Sequence, residues 1–98
     1  PDRYGLEFLL RFTLGGNLRR EGKTAEAKVQ LLQALACPVR TPEFLPALCL
    51  RLALVAQTEK TDVDALVWLR RMRSAESALP YRTGTIEQAR RLFPGLSF

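Results

Sequence analysis

The chain has 98 residues, of which 47% are hydrophobic and 26% are charged, and its formal net charge is +5. We expect one domain spanning residues 1–98, because this length supports a single small core and the apolar fraction is too high for intrinsic disorder. The sequence contains no histidine, so the commonest general base and metal ligand are missing. We therefore expect no enzyme activity, no cofactor and no metal.

The two cysteines, Cys37 and Cys49, are too few for a disulfide scaffold or a cysteine zinc site. Free thiols are typical of a reducing compartment, so we expect an intracellular protein. The most apolar stretch, residues 44–56, is shorter than the roughly 20 residues needed to cross a bilayer. We expect a buried helix there. Because the chain begins with Pro1 and its single methionine is internal, we interpret it as a segment of a longer protein.

Apolar residues recur at helical spacing first from Gly5 to about Arg20. Gly15 and Gly16 fall inside this predicted helix, where each glycine costs about 1 kcal/mol relative to alanine. They require either close packing or a break. The second predicted helix begins at Thr24, whose hydroxyl is a candidate cap, and ends at about Ala36.

The third predicted helix starts at Thr41 with Pro42 in its first turn and reaches about Gln57. Pro46 removes one hydrogen bond from its second turn, which leaves open a kink or a start at Pro46 itself. Both faces of this helix are apolar apart from Arg51. Such a helix is either central in the fold or covered by a partner.

The fourth predicted helix runs from Thr61 to Leu79 and is followed by Pro80. The fifth, shorter helix runs from Thr85 to Phe93, with Thr85 and Gln88 at the spacing of a capping box. No stretch predicts a strand. The fold class is therefore all-α, and the short connections predict antiparallel helical hairpins.

Residues 14–35, LGGNLRREGKTAEAKVQLLQAL, resemble one tetratricopeptide repeat (TPR), a helix-turn-helix unit of about 34 residues. Small residues let the two helices approach closely, and a glycine supplies the turn. The positions that match the family pattern are Leu14, Gly15, Leu18, Gly22, Ala27, Leu31 and Ala34. Arg11 departs from it, because the family has a large aromatic or aliphatic residue there.

The resemblance covers one good repeat, residues 5–38, and one degenerate repeat, residues 42–79. Lys60 replaces the turn glycine in the second repeat, and the step from Ala27 to Ala65 is 38 residues rather than about 34. The fifth helix is expected to cap the array or to begin a truncated repeat. The resemblance implies tandem antiparallel hairpins in a right-handed TPR-like stack with a short C-terminal capping helix; a general five-helix bundle is the alternative.

The resemblance also implies a protein-protein interaction module, a scaffold, adaptor or chaperone-type domain that binds a peptide or helix of another protein. The candidate partner-binding residues are Phe8, Arg11, Asn17, Arg19, Arg51, Trp68, Arg70 and Arg73. Phe8 and Trp68 are also ordinary core residues, and Asn17 beside two glycines is also a simple helix breaker. No membrane partner is expected.

Charge offers a competing interpretation, because residues 65–98 contain six arginines against only Glu76 and Glu87. A basic helical domain that binds nucleic acid would show such a surplus. The arginines of the fourth helix are spread around its circumference, and their spacing allows Arg73 to pair with Glu76. We therefore favour an acidic protein partner over nucleic acid. Self-association through a second copy of the chain is a further alternative.

Overall fold

The computed structural model describes residues 2–98, which form five α-helices and one short 3-10 turn and contain no strand. The all-α prediction is confirmed. The chain divides into two compact units, the first ending at Thr41 and the second running from Pro42 to Phe98. This division falls between the two predicted repeats. That the units together make one domain stays a prediction.

The first unit contains α1 (Leu6–Arg20) and α2 (Thr24–Leu35). The α1 helix begins after Gly5, and the carboxylate of Asp2 accepts hydrogen bonds of 2.8 Å from the amides of Leu6 and Glu7. An acidic side chain at this position accepts hydrogen bonds from the free amides and interacts favourably with the positive end of the helix dipole. Thr24 is the first residue of α2, after the cap residue Lys23, so the capping role expected for its hydroxyl is corrected.

The two helices of the first unit pack against each other in antiparallel orientation. Gly15 in the second half of α1 lies against Leu31 of α2, while Gly5, which precedes α1, lies against Val39, which follows α2. Residues at the start of α1 therefore lie near the end of α2, and residues later in α1 lie nearer the middle of α2. This pairing follows from the short connection between the two helices.

Gly15 permits the close approach of α1 to α2. A Cβ atom at this position would lie 2.7 Å from both Cγ and Cδ2 of Leu31 and 3.3 Å from its amide nitrogen. Ala27 and Ala34, on the same helix as Leu31, are small and have no exposed surface. The expected packing reason for a glycine inside this helix is confirmed.

The second unit contains a 3-10 turn, Pro42–Phe44, followed by α3 (Leu45–Thr58), α4 (Asp62–Ser77) and α5 (Thr85–Leu92). The third helix starts at Leu45, one residue from the alternative start at Pro46, and not at Thr41. Pro46 instead falls in the first turn of α3, where the missing amide would have no intrahelical partner in any case.

The α3 helix is buried on both of its faces, as its composition predicts. One face forms the core of the second unit with α4 and α5. This core contains Cys49, Leu50, Ala53, Ala56, Ala65, Leu69, Met72, Ala89 and Phe93. Leu48, Leu52 and Val55, on the other face, are each at most 1% exposed. The short α5 helix thus contributes core residues to this unit.

The turns that follow α1 and α3 have the same hydrogen bonds. Gly22 donates its amide to Arg19 after α1, and Lys60 donates its amide to Gln57 after α3. In each turn the next amide donates to the carbonyl one residue before that acceptor: Lys23 donates to Leu18, and Thr61 donates to Ala56. Gly22 has φ 81° and Lys60 has φ 61°. The step between the turns is 38 residues, the spacing seen in the sequence.

Both cysteines are free thiols with little exposed surface. Burial, together with the nearby Glu7 carboxylate, raises the pKa of the Cys37 thiol. Burial raises the pKa of the Cys49 thiol to about 11. Neither thiol is therefore activated as a nucleophile at neutral pH. Within residues 2–98, the helices are too short or too polar to cross a membrane.

We predict that Gly15→Ala destabilises the protein although alanine is the better helix former. The gain in helix propensity is about 1 kcal/mol, but overpacking against Leu31 costs about 1 to 3 kcal/mol because that side chain is completely buried and cannot move aside. Urea unfolding followed by circular dichroism measures the change. Thr13→Ala, at an exposed position of the same helix, is the control and raises stability by up to about 0.7 kcal/mol, because only helix propensity changes there.

In a Leu31→Ala background, Gly15→Ala becomes stabilising because the added methyl group enters the space that the leucine vacates. A wild-type chain that gains stability from Gly15→Ala would contradict the close approach of the two helices.

Candidate partner-binding site

A surface cleft of about 500 Å³ lies in the second unit, between the end of α4 and α5. Its lining includes the three exposed arginines Arg73, Arg82 and Arg90. Tyr81, which is 55% exposed, adds an aromatic surface at the same place. The cleft therefore combines several guanidinium groups with one accessible ring.

Glu76 is one wall of this cleft and is only 5% exposed, although it is a carboxylate. Its Oε1 atom accepts hydrogen bonds from the backbone amide of Thr83, at 2.9 Å, and from the Thr83 hydroxyl. Its Oε2 atom accepts a hydrogen bond of 3.3 Å from the amide of Ile86. The Thr83 and Thr85 hydroxyl oxygens are 2.7 Å apart. One side chain from α4 thus holds the end of the loop that leads into α5.

These contacts make Glu76 the cap of α5. The residue before the helix is Gly84, with φ 83°, and it has no side chain that could cap. Thr85 is the first helical residue and is buried. The predicted capping box of Thr85 and Gln88 is therefore corrected, because a carboxylate from a different helix occupies the N-terminus of α5.

The hydrogen bonds also keep Glu76 ionised. Burial alone would raise the pKa of its carboxyl group, but the hydrogen bonds from the hydroxyl and amide of Thr83 and from the amides of Ile86 and Thr85 outweigh burial and lower the pKa below its ordinary value. The charge of Glu76 is thus balanced by donors within the loop. It remains a carboxylate at neutral pH.

The accessible charge of the cleft is positive. Glu87 is the second acid of the lining and is exposed, whereas three arginines face the same space. The predicted pairing of Arg73 with Glu76 is wrong, because Glu76 bonds the Thr83 loop and Arg73 donates a 2.9 Å hydrogen bond to the backbone oxygen of Phe98. Arginine forks match carboxylates in charge and shape.

Of the eight residues that the sequence nominates, the cleft contains Arg73, and the described lining does not include the other seven. In the first unit, Phe8 has no exposed surface and stacks on Phe12 with ring centroids 5.9 Å apart. Phe8 is therefore a core residue in this structure. Arg11 is partly buried and forms a 3.0 Å ion pair with Glu7.

Arg11 also donates hydrogen bonds to Gln30, at 3.0 Å, and to Gln33, so it links α1 to α2. The long side chain of Arg11 thus spans from one helix of the first unit to the other. Asn17 is exposed and accepts a hydrogen bond from Arg20.

Arg19 is partly buried, and in the part of the chain that the structure describes its Nε atom is buried without a hydrogen-bond partner. In the second unit, Arg51 is partly buried on α3 and Arg70 is exposed on α4. Trp68 packs against the core, and the guanidinium carbon of Arg71 lies 5.1 Å from its ring centroid. Partner binding by these residues stays a prediction.

Sequence reasoning identified the arginine surplus but not the residues Tyr81, Arg82 and Arg90 as one site. The missing information is the contact between Glu76 and Thr83, which folds the loop back onto α4. The sequence feature that corresponds to this contact is Glu76, seven residues before Thr83 in the segment Thr-Gly-Thr. This spacing is not an established capping motif.

No family model, curated protein or solved structure matches this chain. The functional inference therefore depends on the geometry of the helices and of the arginine cleft.

We predict that Glu76→Gln destabilises the second unit by about 1 to 3 kcal/mol at pH 7, because the amide group places a donor where the Thr83 and Ile86 amides need an acceptor. Fluorescence of Trp68, the only tryptophan, follows urea unfolding of this unit. Glu87→Gln removes an exposed carboxylate from the same cleft and is the matched control, with little change expected.

The stabilisation by Glu76 depends on pH. Because its pKa is lower in the folded protein than its ordinary value, the carboxylate stabilises the fold above the ordinary carboxyl pKa, and this stabilisation is lost as pH falls through the folded value. The difference between wild type and Glu76→Gln should shrink from pH 7 to about pH 3. A difference that is the same at both pH values would rule out the ionised cap.

Proposed function

We propose that this chain is a protein-interaction module that binds an acidic segment of a partner protein in the arginine cleft. The observation that carries the proposal is the grouping of Arg73, Arg82 and Arg90 around one open cleft. Guanidinium groups form paired hydrogen bonds with carboxylates, and a positive cleft raises the rate at which acidic partners associate.

Rigid presentation of these arginines supports the proposal. Arg82 lies next to Thr83, and the loop at Thr83 is held by the buried carboxylate of Glu76. Arg90 lies on α5, whose residues Ala89 and Phe93 are buried in the core of the second unit. Side chains on an ordered loop and a packed helix lose less conformational freedom on binding.

The geometry of the helices agrees with a TPR-like scaffold. The antiparallel pair α1 and α2, the close approach at Gly15, and the identical turns at Gly22 and Lys60 all support tandem hairpins with a 38-residue step. We propose that the two hairpins are degenerate TPR-like repeats in a right-handed stack and that α5 caps the second one. The raised pKa of both buried thiols is compatible with a non-catalytic protein in a reducing compartment.

Nucleic-acid binding is the second candidate, and the arginine surplus of residues 65–98 favours it. Two observations favour the acidic protein instead. Tyr81 is the only aromatic residue in the described lining, whereas single-strand sites usually have several. Arg71 lies against the ring of Trp68 rather than on a continuous basic strip.

We predict that Arg82→Ala and Arg90→Ala each weaken binding of a glutamate-rich peptide about threefold to tenfold, because each removes one partner of an exposed charge pair. Fluorescence anisotropy of a labelled peptide measures the dissociation constant. Arg70→Ala and Arg91→Ala remove arginines of the same segment that are outside the described lining, so they are the matched controls and change binding less than twofold.

The same titration includes a lysine-rich peptide and a nonspecific DNA duplex at two salt concentrations. The acidic peptide should bind and the basic peptide should not. Binding of DNA with a steep salt dependence, together with equal loss from all four arginine substitutions, would indicate the nucleic-acid alternative.

A further inference from the structure

A second cavity lies beside the arginine cleft, in the same unit of the chain. Its volume is about 410 Å³, and residues of α5 and of the segment that follows α5 line it. Apart from Arg90 and Ser97, the lining side chains are apolar: Phe93, Pro94, Leu96 and Phe98. We name this space the Phe93 cavity. Its walls differ in chemistry from those of the arginine cleft, where three arginines are exposed.

Two arginines connect the Phe93 cavity with the arginine cleft. Arg90 belongs to the lining of both spaces. Arg73, in the lining of the cleft, donates its 2.9 Å hydrogen bond to the backbone oxygen of Phe98, which is in the lining of the cavity. The two spaces are therefore neighbours, with the side chain of Arg90 at their common edge.

Contacts within the second unit hold the walls of the Phe93 cavity in place. Phe93 is buried in the core, and Leu96 and Phe98 are half-buried and pack against that core. The amide of Leu96 donates a 3.2 Å hydrogen bond to the carbonyl oxygen of Phe93, which closes a turn between them. The hydrogen bond from Arg73 holds the backbone at Phe98. A cavity whose walls are already ordered costs a ligand little conformational entropy on binding.

Building on the proposed function of the arginine cleft, we propose that the acidic partner segment has two parts. An acidic side chain of the partner lies among the arginines of the cleft, and a large apolar side chain of the same segment lies in the Phe93 cavity. A carboxylate paired with Arg90 is at the edge of the cavity, so the adjoining residues of its chain reach the apolar walls. An extended chain advances about 3.3 Å per residue, so the two side chains are about two to four residues apart.

The chemistry of the walls favours an apolar side chain over a second acidic one in the Phe93 cavity. Arg90 is the only charged residue in the described lining of this cavity, and it also serves the cleft. A second carboxylate would lose water against the rings of Phe93 and Phe98 without gaining a cation of its own. A leucine or phenylalanine side chain instead buries apolar surface there, which favours binding.

Fluorescence anisotropy of labelled peptides, titrated with the whole chain, tests the two-part segment. In one peptide of glycine and serine, a leucine follows a pair of glutamates after about three residues; in its control peptide, serine replaces the leucine. The leucine peptide should bind about fivefold to tenfold more tightly than the serine peptide. A second pair of peptides has the leucine before the glutamates, so that both chain directions are included. A leucine about ten residues from the glutamates should give no advantage.

Substitutions in the protein assign the leucine advantage to the Phe93 cavity. Leu96→Ala removes part of its wall and should reduce the advantage of the leucine peptide to less than about twofold. Leu92→Ala is the matched control, because Leu92 is 40% exposed on α5 and is outside the described lining of both spaces. Arg82→Ala should weaken the leucine and serine peptides equally and leave their ratio unchanged. Circular dichroism confirms that each variant is folded.

The two proposals fail in different ways. Equal binding of the leucine and serine peptides in both chain directions would overturn the two-part segment and leave the acidic site intact. A leucine advantage that persists in folded Leu96→Ala would also overturn it. Full binding by a leucine peptide whose glutamates are replaced by serine would contradict the proposed function, and no binding by any acidic peptide would contradict both. The peptide comparison uses the unaltered protein, so it decides even if Leu96→Ala does not fold.

Discussion

The carboxylate of Glu76 is the interaction on which the arginine cleft depends. It lies in the last part of α4, is nearly inaccessible to water, and accepts hydrogen bonds from the Thr83 amide and hydroxyl and from the Ile86 amide. These bonds hold the connecting loop against α4 and begin α5. Without them the amides of Thr83 and Ile86 would lose their side-chain acceptor at the start of a helix of only eight residues.

The first unit is held by a different kind of contact. There the backbone of α1 approaches α2 at Gly15, which lies against Leu31, and Arg11 links α1 to two glutamines of α2. Phe8 and Phe12 are the large buried side chains of α1, whereas Leu6 and Leu10 of the same helix are exposed.

Local signals in the sequence were sufficient to predict the helices. Apolar periodicity and terminating residues such as Gly22 and Pro80 place the helix ends within about one turn, because these features act over a few residues. Features that depend on distant residues were missed. Glu76 caps a helix that begins nine residues later, and Asp2 caps α1 from outside the helix. Neither contact matches a short capping motif that can be recognised in the sequence. The cleft lies where the first of these contacts holds the loop against α4, and Arg73 is the one residue of its described lining that was predicted to bind a partner.

The two turns with matching hydrogen bonds differ in the residue that takes the left-handed conformation. Glycine occupies this position after α1, where it is the favoured residue, but Lys60 adopts a φ of 61° after α3, in a region that costs a side-chain-bearing residue about 1 kcal/mol or more. The packing of the flanking helices, rather than the residue itself, therefore imposes the second turn. A turn that the flanking helices impose in this way does not require glycine, so two helix pairs with different turn residues can share the same turn geometry.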